Sequence, residues 1–441
     1  MTFLGRKPAF ILLLAVLFTT LFSFFNLNSE CILALLAYRL WIDGPKKNLR
    51  TAFTNPYFLV YFIFCVIETA GLLYTHDLAA GNKIVSKDAT LTAIAFIICA
   101  GPFATPGEYK RLITWYSLLV FLSSFYCLLV AFRLYHEQGN ASVFFYHPLT
   151  APISQNAVFY SVYVLFALQF LLSREGSPDL PFLSVGARKG LRIFLVFFFV
   201  GMILLLTSKE VLVIALLMLI TFLFRRSWKN PRTLGLVGLG VMGLVILLAA
   251  TNNPVRQRFS KMIDGEGGEL TIPKNINPAT NFSALQLRLL EWRFAGEILR
   301  EHNAWLFGVS PGDSQDLLDQ KYVDNHMWVG DPRQGPNRHI RGFLGYNFHN
   351  QYIEELVHSG IIGLASMLAI FWMLWKIVWC KKTKEAFFTV ATIMVFFIPQ
   401  APLTLQHGVF LFCFFPLLLL YSPPKPGIAG CDEQWLPKTV L

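Results

Sequence analysis

Apolar residues run along this chain in long blocks broken by short polar stretches, with no sustained alternation of the kind strands show. Crossing a bilayer takes a helix of about 20 apolar residues, with a range of about 17–25. The blocks predict spans at 8–26, 29–43, 56–75, 90–105, 112–134, 151–172, 190–207, 210–225, 233–250, 351–375, 386–402 and 406–421. The first block follows Arg6 and Lys7 as a secretory signal would. However, Asn26-Leu27-Asn28-Ser29 offers no small-residue cleavage site, so the block reads as a retained span. Leu191 to Arg225 would be about 50 Å of continuous helix, too long for one crossing. Its polar break is Thr207-Ser208-Lys209-Glu210, where two short spans are predicted to meet at a tight turn.

The one large segment outside the apolar blocks is roughly 251–350. Within it Ser283-Ala284-Leu285-Gln286 fits a capping box. Leu285, Leu289, Trp292 and Leu299 then recur at helical spacing, predicting a helix of about 18 residues, or about 27 Å. The following stretch, 303–347, is rich in Gly, Pro, Asp and Asn and predicts ordered loop.

Composition narrows the class. Of 441 residues, 55% are hydrophobic and 14% charged, against about 25% charged in ordinary soluble domains. That excludes a secreted or cytosolic enzyme, and it excludes disorder. A net charge of +11 invites a nucleic-acid reading, but the basic residues sit in short clusters at alternate connections between the blocks. They are Arg6/Lys7, Lys46/Lys47/Arg50, Lys110/Arg111, Arg174/Arg188/Lys189, Arg225/Arg226/Lys229/Arg232, Lys381/Lys382/Lys384 and Lys425/Lys438. The positive-inside rule puts these clusters and both termini in the cytoplasm, and the Lys209 turn and the 251–350 segment outside. The expected molecule is an all-α polytopic membrane protein of about 12 transmembrane helices. Residues 1–250 carry the first nine, 251–350 form an outer loop unit, and 351–441 carry the last three and a cytoplasmic tail. Seven cysteines without a CxxC suggest neither zinc nor a redox couple.

Glu68, Gln155, Asn156, Gln169 and Gln400 lie at membrane depth, where polar side chains are functional candidates. Interhelical hydrogen bonding, worth about 0.6 kcal/mol on average, accounts for each taken singly. Lys209 stands beside Glu210, so it reads either as a local ion pair or as a cation fixed near the outer surface. Arg288 has Glu291 and Trp292 about one turn on, the spacing of an ordinary surface pair. His349 ends Gly345-Tyr346-Asn347-Phe348-His349, just before Asn350 and the return into the membrane. It reads either as a satisfied interfacial residue or as a base facing a cavity. The sequence has no HExxH, EF-hand loop, P-loop, Rossmann glycines or Gly-x-Ser-x-Gly. His326 and His339, near Asp324 and Asp331, read as structural loop residues.

Taken together, these features resemble the O-antigen ligase and polymerase superfamily, whose members carry one long outer loop late in a multi-span chain. The resemblance rests on Arg288 with Trp292, on His349-Asn350 entering the next span, and on Gly360-Ile361-Ile362-Gly363. Ser208-Lys209 stands where the family has Ser-Arg at an outer turn. Lysine there keeps the charge and loses the bidentate fork. The motifs cover about 190–375. The resemblance implies a glycosyltransferase of the bacterial inner membrane, multi-pass, with its active site facing the periplasm. Its donor would be a glycan on undecaprenyl pyrophosphate. Its acceptor would be a sugar hydroxyl of lipid A-core for a ligase, or a growing glycan for a polymerase. It implies His349, Arg288 and Lys209 as catalytic residues, and transfer would invert the anomeric centre. Trp292, Asn350 and Tyr346 are expected to contact substrate. The leaving group is already activated, so no metal or other cofactor is expected, and membrane lipid rather than nucleic acid is the partner. A transporter of lipid-linked oligosaccharide is the rival reading. It leaves the polar outer unit unexplained, because transporters place their sites near the bilayer midplane.

Overall fold

The computed structural model describes residues 2–173, 178–227, 276–330 and 342–423. Among these residues the protein is helical, with no strand. The expected span 233–250, much of the expected loop unit, His339 and Asp331 lie outside the described residues.

The helices are α1 (Lys7–Leu21), α2 (Phe25–Asp43), α3 (Pro45–Phe53), α4 (Pro56–Ala70), α5 (Leu78–Cys99), α6 (Pro106–Gln138), α7 (Tyr146–Thr150), α8 (Ala157–Leu172), α9 (Val185–Leu206) and α10 (Lys209–Ser227). They continue as α11 (Ala284–Glu301), α12 (Ser314–Asp324), α13 (Gln351–Lys381), α14 (Lys384–Phe396) and α15 (Gln406–Leu418). Their ends are written in the sequence. Asn55 caps α4 with Pro56 at its first position. Thr105 and Glu108 form a capping box on α6, which stops at Gly139 in the left-handed conformation.

Each of the other expected spans falls on a helix. By length and hydropathy, Pro56–Leu73, Pro106–Gln138, Val185–Leu206 and Gln351–Lys381 are long and apolar enough to cross a membrane alone. The stretch expected as a single span at 151–172 is instead bent by 81° between Tyr146–Ile153 and Ala157–Leu172. The break is at Ser154, which takes a positive φ, and Asn156, which starts α8 by accepting a hydrogen bond from the Val158 amide. Counting the bent pair, up to five spans among the described residues satisfy the length test, the pattern of a membrane protein.

α8 and α15 are apolar on all sides and almost wholly buried, as helices at the centre of a bundle are. α5 packs on α15, α4 on both α5 and α13, and α9 on α8. The outer faces of α2, α6 and α9 present Leu33, Trp41, Leu122, Phe132 and Phe197. In water so much exposed apolar surface would be a liability, whereas lipid covers it without cost. Two of the polar residues at depth behave as expected. Gln155 donates from its side chain to the Thr20 carbonyl at 2.7 Å, and Gln169 to Thr389 Oγ1 at 2.7 Å. Glu68 differs: it is buried, and neither of its oxygens accepts a hydrogen bond.

α11 and α12 form a second core with the first turns of α13, built on Leu290, Phe294, Ile298, Leu318, Tyr322 and Val357. The predicted capping box is present. Ser283 Oγ accepts from the Gln286 amide at 3.2 Å, and Gln286 Oε1 accepts from the Ser283 amide at 2.9 Å. The helix it starts is 18 residues long. Its buried stripe, however, runs through Leu290, Phe294 and Ile298, and Leu285 is exposed. Of the predicted stripe, Leu299 is buried in this core, Leu289 and Trp292 are half-buried and Leu285 is exposed, so the interface is rotated toward Leu290, Phe294 and Ile298. Lys321 ties α12 to α11 through Glu301 at 2.6 Å and Glu297 at 3.4 Å.

Candidate active site

The rotation of α11 puts a carboxylate where the sequence reading has none. Glu291 lies on the buried stripe, one residue after Leu290 and three before Phe294, and it is fully buried. It does not form the surface pair with Arg288. Its Oε2 accepts a hydrogen bond of 2.9 Å from His349 Nδ1, and its Oε1 accepts one of 3.1 Å from the Tyr322 hydroxyl. Burial raises the Glu291 carboxyl above its ordinary range, and His349, Tyr322 and the charge of Arg288 offset only part of that rise.

His349 reaches Glu291 because its backbone takes a left-handed turn, with φ of 47°. Asn347 Oδ1 accepts from the His349 amide at 3.0 Å and fixes that turn. Asn350 then ends the loop and starts α13, its Oδ1 accepting from the amides of Tyr352 at 2.9 Å and Ile353 at 3.2 Å. When the Glu291 carboxyl is ionised, Nδ1 carries the proton of this bond and Nε2 keeps its lone pair, and no hydrogen bond to Nε2 is made among the described residues. A histidine oriented by a buried carboxylate, with its far nitrogen open, is the arrangement that general-base catalysis requires.

Trp292 braces the same loop. Its indole N–H donates to the Phe348 carbonyl at 3.0 Å, and the ring is half-buried. The Tyr346 ring stands edge-on to His349 with centroids 5.7 Å apart and stays 36% exposed, so it flanks the imidazole while facing outward. One turn before Glu291 and Trp292, Arg288 donates from Nη1 to the Ala284 carbonyl at 3.3 Å, and its buried Nε has no partner. Among the described residues no carboxylate neutralises this guanidinium directly. It is a cation with donors to spare, the state in which an arginine takes up phosphate.

Arg288, Glu291, Trp292, Tyr346, His349 and Asn350 thus form one assembly across α11, the loop before α13 and the start of α13. Lys209 stands elsewhere in the topology. It opens α10 after a break at Thr207, whose φ is 48°, and α10 packs on α8, α9 and α14. The break falls in the Thr207–Glu210 turn predicted between the two short spans.

The sequence reading missed Glu291 as the partner of His349. A signal was present: a charged residue set in the apolar stripe of an amphipathic helix must be paired once that stripe is buried. It missed Tyr322 as well, and nothing local marks that residue.

A family model described as O-antigen ligase matches residues 193–368. The matched region takes in the Lys209 turn, Arg288, His349 and both glycines of Gly360-Ile361-Ile362-Gly363. No curated protein matches the chain.

Proposed function

We propose that this chain, whose residues 193–368 match a family model described as O-antigen ligase, transfers a glycan from undecaprenyl pyrophosphate to a sugar hydroxyl of lipid A-core on the periplasmic face of the inner membrane. The observation that carries this reading is the pairing of His349 with buried Glu291, one helical turn from an arginine free to bind an anion.

In the reaction the acceptor oxygen attacks the anomeric carbon as the bond from that carbon to the pyrophosphate oxygen breaks. The leaving group departs with the bonding electrons as undecaprenyl pyrophosphate. The acceptor proton passes to His349 Nε2, and Glu291 stabilises the resulting imidazolium. Attack from the face opposite the leaving group inverts the anomeric centre. Base catalysis of this kind contributes about 10²–10⁴-fold. Arg288 meets the charge that builds on the pyrophosphate, where a fixed cation acts without reorganisation. The family resemblance assigns Lys209, at the α9–α10 turn, as a second cation for that charge. Tyr346 and Trp292 offer flat faces to sugar rings beside the imidazole. No step requires a metal, because the donor is already activated.

A strain lacking the gene tests the reading. Loss of a ligase leaves bare core with long chains stranded on the carrier lipid. Core capped by single repeats instead identifies a polymerase, which uses the same chemistry on a growing chain. Cysteines introduced into 284–330 and labelled with membrane-impermeant thiol reagents test the sidedness. Protection from the periplasmic side contradicts the proposal.

A further inference from the structure

Beneath the α11–α12 unit a second polar cluster is sealed inside the bundle, apart from the His349 assembly. Glu68 of α4 and Glu355 and His358 of α13 are 1%, 3% and 2% exposed. One ligand atom from each lies within 4.8 Å of the others. His358 Nδ1 is 3.8 Å from Glu68 Oε2. Both Glu68 oxygens and Glu355 Oε2 lack a hydrogen-bond donor, and His358 Nε2 lacks a hydrogen-bond partner. Asp88 of α5 is buried as well, with Oδ2 unpartnered. Nearby positive charge is scarce. Lys87 spends a hydrogen bond of 2.5 Å on the Thr404 carbonyl.

Buried carboxylates without donors are costly unless something positive joins them. The imidazole suggests what that is. Two carboxylates and one histidine on facing helices supply three oxygen and nitrogen ligands of the kinds a borderline-soft divalent ion takes, with bonds of about 2.0–2.2 Å. Such bonds put ligand atoms about 3.3 Å apart in a tetrahedral site. The 3.8 Å between His358 Nδ1 and Glu68 Oε2 closes to that with small side-chain rotations. His358 Nε2 lies 3.5 Å from Glu354 Oε1, too poorly aligned for a hydrogen bond but on the side where metal-ligating histidines normally have a carboxylate behind the imidazole.

We propose that Glu68, Glu355 and His358 bind a divalent transition-metal ion of the Zn²⁺ type, which staples α4 to α13. The local backbone fits that role. α13 breaks just past His358, at Ser359 and Gly360, where Gly360 has φ of 65°. The segment 305–310 pairs with the break: the Val309 amide donates to the Val357 carbonyl at 2.8 Å, and the Ile361 amide to the Trp305 carbonyl at 2.8 Å. The site also connects to the loop before α13. Glu354 Oε2 accepts from the Phe348 amide at 3.3 Å, so an ion on His358 would steady the segment that carries His349. The metal site stands independently of the transfer reaction, because its residues and its test are separate.

The test uses the purified full-length protein, stripped with chelator and dialysed against Zn²⁺. The wild type is expected to retain one equivalent per chain and to gain a few degrees in unfolding midpoint on loading. Glu68→Gln and His358→Gln are each expected to lose both effects, while His326→Gln keeps them. X-ray absorption of the loaded wild type, which needs no variant to fold, should show oxygen and nitrogen neighbours with an imidazole. A wild type that retains no metal, with the carboxylates sharing a proton instead, overturns the proposal. So does sulfur scattering, or undiminished binding by Glu68→Gln and His358→Gln.

Discussion

Glu291 and His349 lie 58 residues apart in the chain and meet in a hydrogen bond of 2.9 Å between Oε2 and Nδ1. The carboxylate is fully buried and the imidazole side chain 29% exposed. The pair therefore has an inner half that holds orientation and an outer half open to substrate. That division governs the behaviour expected of its variants.

Glu291→Gln keeps the volume and removes the charge. An amide oxygen still accepts from Nδ1–H, but it cannot stabilise an imidazolium. Transfer is expected to fall about 10²–10⁴-fold, with the variant still folded, as measured by turnover in proteoliposomes beside an unfolding curve. Glu291→Ala should also destabilise the α11–α12 core, because it strands the Tyr322 hydroxyl and leaves a cavity.

The same carboxyl makes stability depend on pH. Burial raises it above the ordinary glutamate range, so the folded chain holds this proton more tightly than the unfolded chain does. Its contribution to stability is complete below the ordinary range and is lost as pH rises through the raised value. Glutamine cannot ionise. The stability of Glu291→Gln relative to wild type is thus expected to improve as pH rises from the ordinary glutamate range through the raised value, measured by chemical denaturation at each pH.

Asp313 gives the opposite slope. It latches the α12 end of the outer unit onto the α4–α5 connection. Its Oδ1 accepts from the amides of His76 at 2.9 Å and Asp77 at 3.0 Å and from the Thr75 hydroxyl at 3.1 Å. Burial alone would raise its carboxyl, but these donors, with the His76 ring and Ser310, hold it below the ordinary range. Its stabilisation is present above that range and disappears as pH falls through the lowered value. Asp313→Asn is expected to cost about 1.5–3 kcal/mol at neutral pH and to flatten the acid limb of stability. Hydrogen exchange over 304–314 should quicken in parallel.

Much of this was legible in the sequence, and what was not has a common cause. The Ser283–Gln286 box and the break at Thr207 depend on residues within a few positions, and both formed where local chemistry placed them. The stripe of α11 depends on what packs against it. Leu285 and Leu290 are equally apolar, and only the partner surface of α12 and α13 decides which one is buried. The bend in the stretch expected as one span came from Ser154 and Asn156, a short polar break inside an apolar block long enough to hide it. The Gly-x-x-Gly that marked the family also has a packing reason. A side chain at Gly360 would overlap the Leu306 carbonyl, and one at Gly363 would overlap the Ser359 side chain and crowd Glu68.

Gly360→Ala follows from that geometry. A left-handed φ costs an L-residue about 1–2 kcal/mol, and overlap with the Leu306 backbone adds to it. The variant is expected to melt earlier than wild type and to lose exchange protection at Val309 and Ile361, the two amides that join segment 305–310 to α13. Gly345 also has a positive φ but nothing within 4 Å of an added Cβ. Gly345→Ala should therefore show the conformational cost without the loss of protection at Val309 and Ile361.

The most direct measurement is single-turnover transfer in proteoliposomes, with a lipid-linked glycan donor and lipid A-core acceptor, comparing wild type with His349→Ala inserted to the same level. The account predicts that the wild type forms glycan-bearing lipid A-core and releases undecaprenyl pyrophosphate, while the variant forms neither above background. Transfer by His349→Ala at the wild-type rate would contradict it.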